Sequence, residues 1–198
     1  MKLFYTPTSP YARKIRILLR EKGMHCEEVQ PSLNDAALTV LNPLGKVPTL
    51  VADDQAVMFD SVVISDYLEL VQSEPRMIPV DRWERVVVRR WEAISDGICD
   101  VLVTAVLEQR RPHDKQDESI IVRADQKLMT ALKYIDADIA GHTFVLGNSF
   151  TLADAALITA LGYVKLRRPQ LLDGHSSVQA YADKHMERAS VIATAPPS

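Results

Sequence analysis

Thiols are scarce in this chain. Of its 198 residues only Cys26 and Cys99 are cysteine, far apart and in no CxxC pair. No disulfide framework is expected, and a reducing cytoplasm is the compartment that fits. The five histidines show no metal-ligand spacing, so no metal site is expected either. No apolar run approaches the length of a membrane span, and no signal peptide precedes the first predicted strand. Positive charge is not in excess: a net charge of −3 offers no basic footprint for nucleic acid. Internal repeats and low-complexity blocks are absent as well. What is present is ordinary for a soluble globular protein, with 47% hydrophobic and 25% charged residues. The length allows one large or two small domains.

The most informative stretch is the first twenty residues. Met1 to Tyr5 is short, apolar and aromatic, which predicts a strand. Pro7 has no amide to donate and stops it. Ser9 then reads as a helix N-cap and Pro10 as the first helical residue. Tyr11, Ile15, Leu18 and Leu19 follow at helical spacing, with Arg13, Lys14, Arg16 and Arg20 on much of the other face. Gly23 closes the helix as a C′ glycine. A helix start carries unpaired N–H groups and about half a positive charge, so a hydroxyl placed there suits a bound thiolate. Taken alone, a Ser-Pro helix start is more often just a cap.

Residues 25–29 predict a second strand, parallel to the first through a right-handed βαβ unit. A weak helix over 34–41 ends at Asn42-Pro43. Strands follow at 49–52 and 57–59 around the turn Asp53-Asp54-Gln55, giving a hairpin. Asp60 or Ser61 caps a helix that carries Val63, Ile64, Tyr67, Leu68 and Val71. The order βαβαββα over residues 1–72 predicts a compact α/β domain. Residues 73–80 hold two prolines and no period and read as a linker. Residues 81–198 predict an all-helical domain: a long helix from Asp81 towards Leu107, broken at Arg111-Pro112-His113; a second from 117 to 139, ended by Gly141; an apolar helix opened by Thr151-Leu152-Ala153-Asp154; and another within 175–188, before an irregular tail at 195–198. Thr151 and Asp154 have the spacing of a capping box and a structural role. Trp83 and Trp91, eight residues apart, are expected to pack from one face of the long helix, and Cys99 is expected in the core.

Two more short motifs have functional readings. A cis bond before Pro48 would turn the Val47 N–H and C=O towards a ligand, although trans is the commoner isomer. Asp60-Ser61 at a helix start can cap it, or can receive the ammonium and carboxylate of an amino acid head group.

Ser9-Pro10-Tyr11-Ala12-Arg13, Asn42-Pro43-Leu44-Gly45-Lys46-Val47-Pro48, Phe59-Asp60-Ser61 and Thr151-Leu152-Ala153-Asp154 occur in the order and spacing of the cytosolic glutathione transferases. The chain resembles that family over essentially its whole length, and in particular bacterial, serine-type members. The resemblance implies a thioredoxin-like N-terminal domain, an all-helical C-terminal domain, a cytoplasmic homodimer and a role in detoxification. It implies glutathione as co-substrate, with Val47 before cis-Pro48 pairing with its cysteinyl backbone, Asp60 and Ser61 holding its γ-glutamyl group, and Lys46 near its glycyl end. Many members have Glu where this chain has Asp60. The first motif is also similar to the glutaredoxin Cys-Pro-Tyr-Cys with both cysteines replaced, which excludes dithiol chemistry there. Ser9 would stabilise the thiolate without itself attacking, with Tyr5 and Thr8 as alternatives. The expected activity is attack of that thiolate on a small hydrophobic electrophile or a peroxide. The alternative is a non-catalytic interaction module, because function does not follow from fold.

Overall fold

The computed structural model describes residues 1–32 and 35–197. The predicted helix start at Asn34 and the tail residue Ser198 therefore lie outside the described residues. The chain divides into two compact units, residues 1–82 together with 187–198, and residues 83–186.

In the first unit β1 (Lys2–Phe4), α1 (Pro10–Glu21), β2 (Glu27–Val29), α2 (Ala36–Leu41), β3 (Thr49–Val51), β4 (Val57–Met58) and α3 (Ser61–Val71) follow one another. The sheet order is β2-β1-β3-β4. β1 and β2 are parallel, and β1 with β3 and β3 with β4 are antiparallel. α1 begins where the local chemistry says it should: Ser9 is extended and its Oγ accepts from the Ala12 amide at 3.2 Å. It stops in a Schellman turn, with Met24 N–H on the Leu19 carbonyl and Gly23 N–H on that of Arg20, Gly23 having φ of 62°. Leu3, Ile15, Leu18, Leu50, Ile64 and Leu68 are fully buried and form this unit's core.

The cationic face of α1 differs from a solvated helix face. Arg13, Lys14 and Arg16 are all buried, and Arg20 is the exposed one. Much of the cover comes from residues 187–197, which the sequence reading places in the helical domain and which the structure groups with the first unit. They contain the single-turn helix α8 (Ala189–Ile192) and pack against α1. Arg13 Nη2 donates to the Val191 carbonyl at 3.2 Å, and Arg188 grips Glu21 through two bonds of 2.7 Å, joined by the Ser190 hydroxyl. Burial by itself would raise the Glu21 carboxyl, but these hydrogen bonds outweigh it and hold the group below the usual carboxylate range. Long-range carbonyl partners of this kind leave no local sequence pattern.

The stretch read as a linker is fastened. The Lys22 side chain, 1% exposed, donates to the Gln72 and Pro75 carbonyls at 2.7 and 2.9 Å and pairs with Glu69 at 2.8 Å. Gln72 bonds back to the Lys22 carbonyl, and Met77 and Ile78 are buried.

The second unit holds α4 (Arg82–Gln109, whose first residue belongs to the first unit), α5 (Glu118–Asp138), α6 (Leu152–Arg167) and α7 (Ser176–Met186), with 3-10 turns at His113–Lys115 and Pro169–Leu172. α6 is buried all round from Leu152 to Val164 and is the centre of the unit. Each of its large apolar side chains contributes about 1.5–3 kcal/mol by burial. Trp91 is buried and Cys99 lies in the core, but Trp83 is 73% exposed. Eight residues at about 100° each leave the two indoles about 80° apart around the helix, enough to put Trp83 outside the buried stripe. At the start of α6, Asp154 is wholly buried and its carboxylate accepts four hydrogen bonds. Thr151 N–H and Oγ1–H donate to Oδ2 at 2.8 and 2.9 Å, and Val145 N–H and the Tyr181 hydroxyl to Oδ1 at 2.7 Å each. The carboxylate thus ties together the 145 loop, the helix start and α7 as well as capping α6. No described helix is long and apolar enough to cross a membrane.

Candidate functional site

The strand register brings the sequence motifs to one end of the sheet. Phe4 pairs with Thr49 and Leu50 with Met58. The loop leaving β1, the turn entering β3 and the segment leaving β4 therefore emerge at the same end. Those segments carry Ser9, Val47-Pro48 and Asp60-Ser61.

Ser9 is half-buried at the α1 N-terminus. Its Oγ lone pair takes the Ala12 amide, which leaves the hydroxyl proton available to a ligand. Thr8, next to it, is exposed. Tyr5 is buried, its ring lies under the Arg16 guanidinium at 4.3 Å, and its hydroxyl accepts from Gln30 Nε2 at 3.0 Å. Gln30 follows β2, and β2 and β3 flank β1 on opposite sides. The Tyr5 hydroxyl is thus engaged on the β2 side, away from the Val47 turn.

The Val47–Pro48 peptide is cis. Among the described residues no hydrogen bond uses the Val47 N–H or C=O. The turn is set by Asn42, which the sequence reading places at a helix end and at the head of the motif that runs to Pro48. Its buried amide donates to the Lys46 carbonyl at 3.0 Å and to Thr49 Oγ1 at 3.1 Å, while its Oδ1 accepts from Leu44 N–H at 3.1 Å. Thr49 Oγ1 adds a second donor to the Lys46 carbonyl at 2.8 Å. Gly45 turns with φ of 59°, a conformation glycine adopts freely. An Asn seven residues before a Thr at a strand start is the signal available in sequence. The Lys46 side chain is exposed.

Asp60 is the N-cap of α3, its Oδ1 accepting from Val62 N–H at 3.0 Å, and it is exposed. Ser61 is the first helical residue and is buried. This end of the sheet thus offers a hydroxyl at one helix start, an unpaired backbone donor and acceptor, and an acidic helix start. Thr151 and Asp154 belong to the second unit. Burial pushes the Cys26 thiol up to about 11, so it is no nucleophile at neutral pH. Among the described residues no group of three or more His, Cys, Asp or Glu is placed to hold a metal.

A four-stranded mixed sheet with a capped helix start after its first strand, followed by a helical unit, makes this a thioredoxin-like domain joined to an all-α one. The chain belongs to the glutathione S-transferase family: residues 3–76 match the family model for the glutathione S-transferase N-terminal domain and residues 95–189 that for the C-terminal domain. It is 38% identical over 170 residues to the uncharacterized GST-like protein YibF of Escherichia coli K12, spanning 85% of this chain and 84% of that protein. A crystal structure of a glutathione S-transferase from Methylobacillus flagellatus KT with GSH bound superposes with a TM-score of 0.93 at 38% identity, covering 99% of each chain. One from Methylobacterium radiotolerans JCM 2831, in complex with glutathione sulfonate, also gives 0.93 at 30% identity, covering 100% of this chain and 95% of that one.

Proposed function

We propose that the protein is a glutathione transferase that binds glutathione at this end of the sheet and activates its thiol for attack on a small hydrophobic electrophile or a peroxide. The observation that carries the reading is the convergence of Ser9, Val47 and Asp60-Ser61 on one sheet end; relatives solved with glutathione or its sulfonate bound support it. The Val47 N–H and C=O pair with the cysteinyl backbone. Ser61 and the α3 amides receive the γ-glutamyl carboxylate, and Asp60 accepts from its ammonium. Lys46 reaches the glycyl carboxylate. The cysteinyl sulfur then faces the start of α1, where Ser9 Oγ–H donates to it. A free thiol has a pKa near 8.5 and is mostly protonated at neutral pH; each unit of lowering is about 1.4 kcal/mol of preference for the thiolate, which is the nucleophile. Ser9 is preferred to Tyr5 because it stands half-buried at the α1 N-terminus, whereas Tyr5 is buried beneath the Arg16 guanidinium.

Two substitutions separate binding from activation. Asp60→Ala is expected to weaken glutathione at least tenfold by calorimetry, about 1.4 kcal/mol. Ser9→Ala is expected to leave that affinity nearly unchanged while ultraviolet titration of the complex shows a raised thiol pKa and conjugation slows. If Ser9→Ala changes neither and Tyr5→Phe abolishes activity, the role passes to Tyr5.

The reading carries a homodimer with it. α3 leaves Val63, Leu70 and Val71 exposed, which an apolar contact with a second copy would cover. Light scattering at micromolar concentration is expected to give about twice 22.1 kDa; a monomer there contradicts it.

A further inference from the structure

We infer that Arg13, sealed beneath residues 187–197, is an internal cation that lowers the pKa of a glutathione thiol held at Ser9. The inference rests on the reading that Ser9 faces that thiol.

Arg13 stands four residues after Ser9, about 6 Å along the helix axis, and its amide donates to the Ser9 carbonyl at 3.0 Å. Long side chains on a helix lean back over the preceding turn, which for Arg13 is the turn that Ser9 begins. Arg13 is 6% exposed. Among the described residues, what it meets there is a carbonyl, Val191 O, and no carboxylate. Its Nε is buried without a hydrogen-bond partner. The acidic groups on the elements around α1 are engaged elsewhere: Glu28 of β2 with Arg16 and Arg20, Glu69 of α3 with Lys22, Glu21 with Arg188. Asp66 of α3 is exposed. Of the neighbouring cations, Lys14 is buried on the same helix, and Arg16 is partly neutralised by Glu28.

A buried cation without a counter-ion gains most from any anion that arrives nearby. Desolvation, and then the charge on Arg16, push Arg13 down to about 10, well above neutral pH, so it is charged when glutathione binds. The dipole of α1 already favours negative charge at Ser9, and Arg13 adds a full charge behind the same turn. Residues 187–197 supply the second ingredient: by excluding water they keep that charge from being screened. On binding, the thiol proton leaves to solvent and the thiolate sits in the combined field. Arg13 does not touch the sulfur; it acts through the first turn of α1 as a positioning residue.

The test is ultraviolet titration of the thiol in the glutathione complex of the full chain. Arg13→Gln keeps a donor for the Val191 carbonyl and removes the charge; it is expected to raise the bound thiol pKa by about one unit, a tenfold loss of thiolate at neutral pH. Arg13→Lys keeps the charge and is expected to restore most of the difference. In the wild-type protein the lowered pKa is expected to persist from low to high salt, a readout that needs no variant to fold. A thiol pKa that relaxes to the free value in high salt overturns the inference, as does a folded, glutathione-binding Arg13→Gln with the wild-type value. If Ser9→Ala raises the pKa while Arg13→Gln does not, this inference falls and the functional reading stands. If the wild-type complex shows no lowering at all, both fall.

Discussion

Asp154→Ala is expected to destabilise the protein by about 3–5 kcal/mol, a large share of the roughly 5–15 kcal/mol that holds a domain folded. A lost helix cap alone costs about 0.5–2 kcal/mol, which is all that the Thr151-x-x-Asp154 spacing justifies. The structure raises the figure because the carboxylate serves four donors at once. Without it, two backbone amides, at Val145 and Thr151, and the hydroxyls of Thr151 and Tyr181 lose their acceptor in a fully buried place. Each such group costs about 1–3 kcal/mol, and the sum is reduced where hydroxyls rotate or water enters the vacated space. Asp154→Asn tests the same point with less change of volume: an amide supplies one acceptor oxygen where the carboxylate supplied two, and its NH₂ confronts donors. Urea unfolding measures both, and a loss under about 1 kcal/mol for Asp154→Ala reduces the residue to an ordinary cap. Glutathione affinity of the folded fraction is expected to stay unchanged, because Asp154 lies in the second unit.

Lys22→Met is expected to cost about 3 kcal/mol. The methylene stem is replaced almost like for like, so the loss is polar. Glu69 is left as a nearly buried carboxylate without its cation, and the Gln72 and Pro75 carbonyls lose a donor. Breaking one side of a buried ion pair is worth about 3–5 kcal/mol, most of it the stranded partner, whereas replacing both sides by apolar groups is often neutral. The double variant Lys22→Met with Glu69→Leu is therefore expected to recover most of the loss, the Met77 amide that Glu69 also receives being what it does not recover. Limited proteolysis gives a second readout: the single variant should be cut faster within 72–80, the stretch that Lys22 fastens. A single variant as stable as wild type, and equally resistant, would sink the assignment.

Sequence was a good guide wherever the deciding interaction is local. Ser9-Pro10, the Gly23 turn, the Asp53-Asp54-Gln55 hairpin and the start of α6 are each written within a few residues, because caps and turns are made by backbone groups that a near neighbour satisfies. The placement of the candidate site at one sheet end follows from strand order, so it was legible once the βαβαββα pattern was read. What escaped was long-range. Arg13 and Arg16 look like members of a solvated stripe until residues 187–197 are laid over them. Asn42 shows its purpose only when Lys46 and Thr49 are folded beside it. Trp83 has the composition of a core residue and the angular position of a surface one. The anchoring of 72–80 depends on one lysine fifty residues earlier, and prolines without periodicity gave no hint of it.

The cover over α1 also sets an order of events during synthesis. Residues 1–82 leave the ribosome before 83–186, but their unit is completed by 187–197, and the whole second unit is made in between. At about 5–20 residues per second this interval lasts about 5–20 seconds. Throughout it, Arg13 and Arg16 are without Val191 and Thr194, and Glu21 is without Arg188. The nascent N-terminal unit therefore waits, hydrated and positively charged along one helix, and the second unit has the chance to finish before the first.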